Sequence, residues 1–264
     1  MKNKTKSILA LAAVAALGMT FVAGCGNDKK PVKENLIIGL DDNFAPMGFR
    51  NEKNEIVGFD IDLAREATKR LGMKVTFKPI DWGAKEAEIK SGRIDAIWNC
   101  FSVNPEREKA YGLSKPYINN SQWIVTLAAS KINGPADLSG KVVGCQDDST
   151  GEYMLNLPEN AKLKASLKDS KKYLNFAAAY MDLDTGRIDA IIVNEVLAGY
   201  YNQKAPGKYR RADKIMGDEV IAIAFRKEDK ALIDSINGVL EEMKKDGFCK
   251  KTSEKWFGKD ITIY

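Results

Sequence analysis

The chain has 264 residues, 44% of them hydrophobic and 29% charged, with 41 Lys and Arg against 36 Asp and Glu for a formal charge of +5. That is enough apolar material to bury a core, and the interspersed Lys and acidic residues form no basic stripe of the kind a nucleic-acid surface needs. The absence of any His removes the usual zinc ligand, the usual general base and the usual pH switch.

At the start, Lys2, Lys4 and Lys6 precede an apolar and small-residue run from Ile8 to Gly24 that ends in Val22-Ala23-Gly24-Cys25. A basic segment ahead of an apolar run of this length marks a secretory signal over residues 1–24 rather than a membrane span. Val-Ala-Gly-Cys resembles the bacterial lipobox, which implies that Cys25 becomes the lipidated first residue of the mature chain. Residues 25–34, polar and Lys-rich after the Cys, are then a tether to the outer face of a membrane. Without residues 1–24 and their three lysines, 240 residues and a formal charge of +2 remain. Cys100, Cys145 and Cys249 are then left, an odd number with no metal spacing and no CxxC, so no metal site and no cofactor is expected.

From Leu36 the pattern alternates between strand and helix. Leu36 to Leu40 reads as a buried strand, and Asp60 as the cap of a helix whose stripe is Ile61, Ala64, Ala67 and Leu71, with Gly72 as its stop. Met73, Val75 and Phe77 alternate as a strand, Ala84 to Lys90 reads as a helix, and Ile94 to Trp98 as a buried strand. Strands separated by helices imply a parallel sheet covered on both faces, with ligands beyond the carboxyl ends of the strands. Later, Lys141 to Cys145 and Ile188 to Val193 repeat the scheme, and Ser149-Thr150 lead into a helix. Ser91-Gly-Arg-Ile-Asp-Ala-Ile97 recurs as Thr185-Gly-Arg-Ile-Asp-Ala-Ile191, and Ile37-Ile38-Gly39 is echoed by Val142-Val143-Gly144. Two lobes of like topology would explain both echoes.

The stretch from Arg93 to Tyr117 says most about function. Asn99, Cys100 and Ser102 stand at a strand's exit, and Pro105-Glu106 reads as the first turn of a helix carrying Arg107. A guanidinium beside backbone N–H groups and a hydroxyl grips a carboxylate in two-point geometry. The segment DAIWNCFSVNPERE followed by LSKPY resembles the solute-binding proteins for polar amino acids, bacterial family 3, which are the extracytoplasmic receptors of ABC importers. The resemblance runs from about residue 35 to the end. It implies a periplasmic-binding-protein-like α/β fold of type II, two hinge-linked lobes each with a parallel-type sheet flanked by helices. One lobe would be discontinuous, 35–120 with 218–264, and the other 121–217, with crossings near Ile118–Gln122 and Met216–Glu219.

Carried over residue by residue, the resemblance makes Arg107 and Ser102 holders of a ligand's α-carboxylate, joined by N–H donors at Ser149 and Thr150. Phe44 and Trp82 match positions that sandwich the ligand side chain, and Asp41 matches an acid that meets the distal cation in binders of basic amino acids. Each has a plainer reading: a solvated charge for Arg107, N-capping for Ser149 and Thr150, core for the two aromatics, a turn former for Asp41. Two positions depart from the family. Asn194 stands where an Asp usually pairs with the α-ammonium, so Glu195 or Asp147 would have to take over, or the ligand lacks that group. Cys100 stands where relatives carry Gly or Ser, and it and Cys145 would face the cleft from opposite lobes.

The expectation is therefore a non-enzymatic, lipid-anchored binding protein at the extracytoplasmic face of the cell membrane. It would act as a single copy, close over a polar or basic amino acid and present it to an ABC transporter permease. The alternatives are a dehydratase-like enzyme on the same scaffold, with Glu195 or Asp41 moving protons, and a sensor or adhesin lipoprotein.

Overall fold

The structure is a computed structural model that describes residues 33–214 and 216–263, so the signal segment, Cys25 and most of the tether lie outside the described residues. In chain order come β1 (Asn35–Leu40), β2 (Asn43–Phe44), β3 (Gly48–Arg50), β4 (Ile56–Val57), α1 (Phe59–Arg70), β5 (Lys74–Pro79) and α2 (Lys85–Lys90). Then follow β6 (Ala96–Ser102), α3 (Pro105–Ala110), β7 (Gly112–Leu113), β8 (Ile118–Leu127), β9 (Val142–Gln146), α4 (Thr150–Asn156) and α5 (Ala161–Ser166). The chain ends through β10 (Asp169–Tyr173), α6 (Phe176–Asp184), β11 (Ala190–Asn194), α7 (Glu195–Lys204), β12 (Tyr209–Arg211), β13 (Gly217–Phe225), α8 (Lys230–Lys245) and α9 (Phe248–Phe257).

The fold is α/β with two lobes. One lobe is built on the parallel strands β5-β1-β6, the other on the parallel strands β10-β9-β11. The sheets are parallel only there. β8 and β13 cross between the lobes and pair antiparallel with each other and with their neighbours β11 and β6. The expected pair of parallel sheets is therefore one mixed sheet in the order β10-β9-β11-β8-β13-β6-β1-β5. The reason lies in chain direction, since a chain that leaves a lobe once and returns once must lay two strands in opposite senses across the junction. Gly217 to Ile221 face Gln122 to Ile118 there, rung by rung.

The repeated RIDA motif does the same work twice. Asp95 Oδ2 accepts from the Ile37 N–H at 2.9 Å, and Asp189 Oδ2 accepts from the Val142 N–H at 2.8 Å. Each carboxylate ties the entry of one central strand to the first residues of the next. The neighbouring Ile completes the match: a Cβ on Gly39 would lie 2.6 Å from Ile94 Cδ1, and one on Gly144 2.8 Å from Ile188 Cδ1. Both glycines are needed for close approach of side chain to backbone. With strand entries fixed alike, strand exits come out alike, and it is the exits that meet at the cleft.

Most of the buried side chains form one cluster that includes Leu36, Ile38, Phe59, Trp98 and Tyr117. A second, inside the β9–β11 lobe, joins Ile124, Leu138, Val143, Cys145 and Ile192. Cys145 lies within β9 and is core, and it does not face Cys100 across the cleft as its expected place at the end of the Lys141 to Cys145 strand had implied. Asp60 is also not a cap. Gly58 takes the N-cap position of α1, and Asp60 is fully buried within the first turn. Its Oδ1 accepts from Tyr117 Oη and its Oδ2 from the Cys100 N–H, both at 2.8 Å. The carboxylate thereby anchors the exit of β6, where Cys100 adopts a left-handed φ of 51°.

Burial pushes the Asp60 carboxyl up to about 7, against the lowering pull of its donors Tyr117 and Cys100. A carboxyl that ionises later in the folded than in the unfolded chain costs nothing in acid, and it weakens the fold as pH rises from its ordinary 3.8 to about 7. Asn at position 60 can still accept from Cys100 and donate to Tyr117. Asp60→Asn is therefore expected to raise the melting temperature by several degrees at pH 7 to 8, with the gain fading toward pH 4. A scan in which the variant gains nothing at neutral pH would show that the charge is better compensated than its burial implies.

Candidate functional site

Where the lobes meet, twelve residues enclose a cavity: Phe44, Trp82, Asn99, Cys100, Ser102, Arg107 and Gln122 with Gln146, Ser149, Thr150, Phe176 and Asn194. About 20 Å³ of it is open to the centre of a water molecule, the room of one or two waters. The lobes are closed on each other.

Arg107 sits in the short α3 because Asn104 caps it, accepting from the Arg107 N–H at 2.8 Å, and Pro105 starts the turn. Its guanidinium is buried, 7% exposed, and lies 4.5 Å from the centre of the Phe101 ring. Nη1 donates to the Ser102 carbonyl at 2.9 Å and to Thr150 Oγ1 at 3.2 Å, and Nη2 donates to the Asp148 carbonyl at 3.0 Å. Burial pulls its pKa below the usual arginine range, and the nearby Asp148 and Glu219 oppose that pull. The solvated-charge reading of Arg107 does not hold. Ser149 caps α4, its Oγ accepting from the Glu152 N–H at 3.3 Å, while Glu152 reaches back to the Asp148 N–H at 2.7 Å.

Four more contacts cross the cleft. Lys85, 1% exposed, donates to the carbonyls of Trp82 and Asp148 at 3.1 Å each and pairs with the Asp148 carboxylate. Asp41 Oδ2 accepts from Gln146 Nε2 at 2.7 Å. Asn194 Nδ2 donates to Cys100 Sγ at 3.2 Å, and the rings of Phe44 and Phe176 meet edge to face at 5.9 Å. Burial pushes the Cys100 thiol well above its usual range, so it stays protonated and accepts the amide hydrogen.

Of the residues expected at the site, Phe44, Trp82, Cys100, Ser102, Arg107, Ser149, Thr150 and Asn194 come together. Asp41 is buried one side chain behind the wall and reaches it through Gln146; burial raises its carboxyl and the bonds from Asn43 and Gln146 oppose the rise. Glu195 does not join them. It begins α7, pairs with Arg211 at 3.4 Å and faces a separate hollow of about 550 Å³. Asp147 pairs with Lys172 at 3.1 Å on the outer side of the cleft. Neither acid can replace the missing one at 194, because each is turned to solvent by its own cation. Sequence reasoning missed Gln146, Phe176, Gln122 and Lys85. Gln146 directly follows the Lys141 to Cys145 strand, so the rule that ligands sit at strand ends could have found it.

Residues 36–259 match the family described as bacterial extracellular solute-binding proteins, family 3. Among curated relatives, the L-cystine-binding protein TcyJ of Escherichia coli strain K12 is 31% identical over 259 residues, 97% of this chain and 95% of the relative. The lysine/arginine/ornithine-binding periplasmic protein of the same strain is 31% identical over 98% of each chain. Among solved structures, an ABC uptake transporter substrate-binding protein from Streptococcus pneumoniae with bound histidine aligns with a TM-score of 0.84 at 36% identity, over 88% of this chain and 95% of that one. These relatives are named as binding proteins, and among the described residues no helix is long and apolar enough to cross a membrane.

Lys85 offers a direct handle on closure. Its partner Asp148 has a side chain 56% exposed, so removing the cation leaves a hydrated rather than a stranded carboxylate. Lys85→Met, similar in volume, is expected to shift the open-to-closed ratio of the ligand-free protein toward open by about twofold to fivefold, one such pair's worth. Small-angle scattering would register this as a larger radius of gyration; an unchanged profile would mean that the remaining cross-cleft contacts suffice.

Proposed function

The chain belongs to the bacterial extracellular solute-binding proteins of family 3, and from that premise we propose that it is the receptor of an ABC importer, capturing a polar amino acid by closure of its two lobes. The observation that carries this reading is the buried Arg107 guanidinium, held between Ser102 of one lobe and Asp148 and Thr150 of the other. Three of its five N–H groups point at neutral oxygens. A carboxylate entering the cleft would form shorter, charge-assisted bonds to the same guanidinium.

In this reading Arg107, Ser102 and the backbone N–H group of Thr150 take the α-carboxylate, and Ser149, whose own N–H donates to the Gln146 carbonyl at 3.2 Å, lines the site beside them. Phe44, Trp82 and Phe176 enclose the side chain, and Asp41 acts on its far end through Gln146. Relatives named for cystine and for lysine, arginine and ornithine support a polar or basic side chain. Residues 35–120 with 218–264 would form one lobe and 121–217 the other, with the β8–β13 ladder as the hinge. Residues 1–24 would be a signal removed ahead of Cys25, which carries the lipid, and residues 25–34 would tether a single copy outside the membrane beside its permease.

Calorimetry on the protein lacking residues 1–24, titrated with a panel of amino acids, is expected to find at least one that binds. Arg107→Ala should weaken that ligand at least about a hundredfold with the fold intact, and Arg107→Lys should restore little because a point charge lacks the two-point grip. Retained affinity in Arg107→Ala would show that the carboxylate sits elsewhere. In the full chain expressed in a bacterium, Cys25→Ser is expected to move the protein from the membrane fraction to the soluble fraction; an unchanged distribution would remove the lipid anchor.

A further inference from the structure

Asn194 has no charge to offer an ammonium group, and its amide is already engaged at both ends. Its Oδ1 accepts from the Leu197 N–H at 3.3 Å, capping α7, and its Nδ2 points at Cys100. Yet a carboxylate does lie close by, one side chain behind the wall. Glu219, on β13 in the ladder that joins the lobes, is 8% exposed, and no Lys or Arg pairs with it among the described residues. It is held instead by neutral donors. Asn120 Nδ2 donates to its Oε1 at 2.7 Å, and Gln122 Nε2 donates to both oxygens at 3.0 and 3.1 Å.

Those bonds decide what one cavity-lining side chain can do. Gln122 has its amide nitrogen committed to Glu219, so it can offer the cavity only its oxygen. A neutral group that could donate or accept is fixed as an acceptor by a buried anion. Hydrogen bonds in such a chain polarise one another, so the negative charge is felt at the outer oxygen.

We propose that Glu219 supplies, through Gln122, the negative potential for a ligand's α-ammonium that position 194 lacks. Glu219 is in this sense a positioning residue, since it touches the contacting Gln122 side chain and not the ligand. The buried charges then balance as two ion pairs in line, Arg107 with the ligand's carboxylate and its ammonium with the Glu219 relay. The inference rests on the amino-acid reading above and names the group that selects the amino end.

The test compares each of L-arginine, L-histidine and L-glutamine with its counterpart lacking the α-amino group: 5-guanidinopentanoate, imidazole-4-propionate and 4-carbamoylbutyrate. Titration calorimetry on the purified wild-type protein first establishes which pair binds and how strongly the amino form is preferred. Glu219→Gln is expected to cut that preference about tenfold to a hundredfold, the range of a charge-assisted hydrogen bond, by weakening the amino form while the des-amino form binds as before. Gln122→Met, which keeps volume and removes the amide oxygen, is expected to act the same way and decides the matter if Glu219→Gln does not fold. A preference left intact, or equal losses for both forms, overturns the relay and leaves the amino-acid reading standing. If the wild type binds none of the three amino acids and none of the wider panel, that reading and the relay fall together.

Discussion

A guanidinium taken out of water must be given oxygens, and the oxygens that Arg107 receives come from both lobes. From this requirement much of the local structure follows. The Ser102 carbonyl is available because β6 ends there, and the Asp148 carbonyl is available because the residue adopts a left-handed φ of 54° just ahead of α4. Asn104 and Pro105 set the start of α3 so that Arg107 emerges one turn away from the strand it leans on. The Phe101 ring covers one face of the cation. Remove the second lobe and two of the three hydrogen bonds vanish, so the ion is at ease only when the halves are together or when another anion takes their place.

The same economy appears in the other cleft groups, which satisfy one another across the junction: Lys85 with Asp148, Gln146 with Asp41, Asn194 with Cys100. Each is a pair that a polar guest could enter by exchanging partners rather than by stripping bare groups of water, which keeps the cost of opening low. The price of such a design is that unliganded closure competes with binding.

Regular elements with strong period were legible in the sequence. α1 spans Phe59–Arg70, where the stripe of Ile61, Ala64 and Ala67 placed a helix, and the RIDA echo revealed a doubled architecture whose cause, Asp95 and Asp189 holding the entries of β1 and β9, appears only in three dimensions. Most of the candidate site was also legible, because Phe44, Ser102 and Asn194 end strands, Trp82, Arg107 and Thr150 come soon after strands, and strand ends converge. What failed did so for one reason. Asp60, Glu195 and Glu219 look alike as acids in sequence, and their roles depend on partners 16 to 99 residues away: Cys100 for the first, Arg211 turning the second outward, Asn120 for the third. Local pattern carries no information on which of them is buried. The crossings near Ile118–Gln122 and Met216–Glu219 were expected, but their antiparallel pairing was hidden for a similar cause, since register between β8 and β13 is set by tertiary geometry and not by either segment alone.

That ladder has a mechanical meaning. Two strands hydrogen-bonded side by side along five rungs resist being pulled apart or slid past one another, yet a ribbon this narrow yields readily to torsion. Whatever motion carries the halves apart is therefore filtered into rotation about the ribbon's length, a single soft coordinate. Glu219 sits on that torsional axis, so a charge buried there travels little while the jaws swing, and one wall of the recognition chemistry stays fixed in the moving frame.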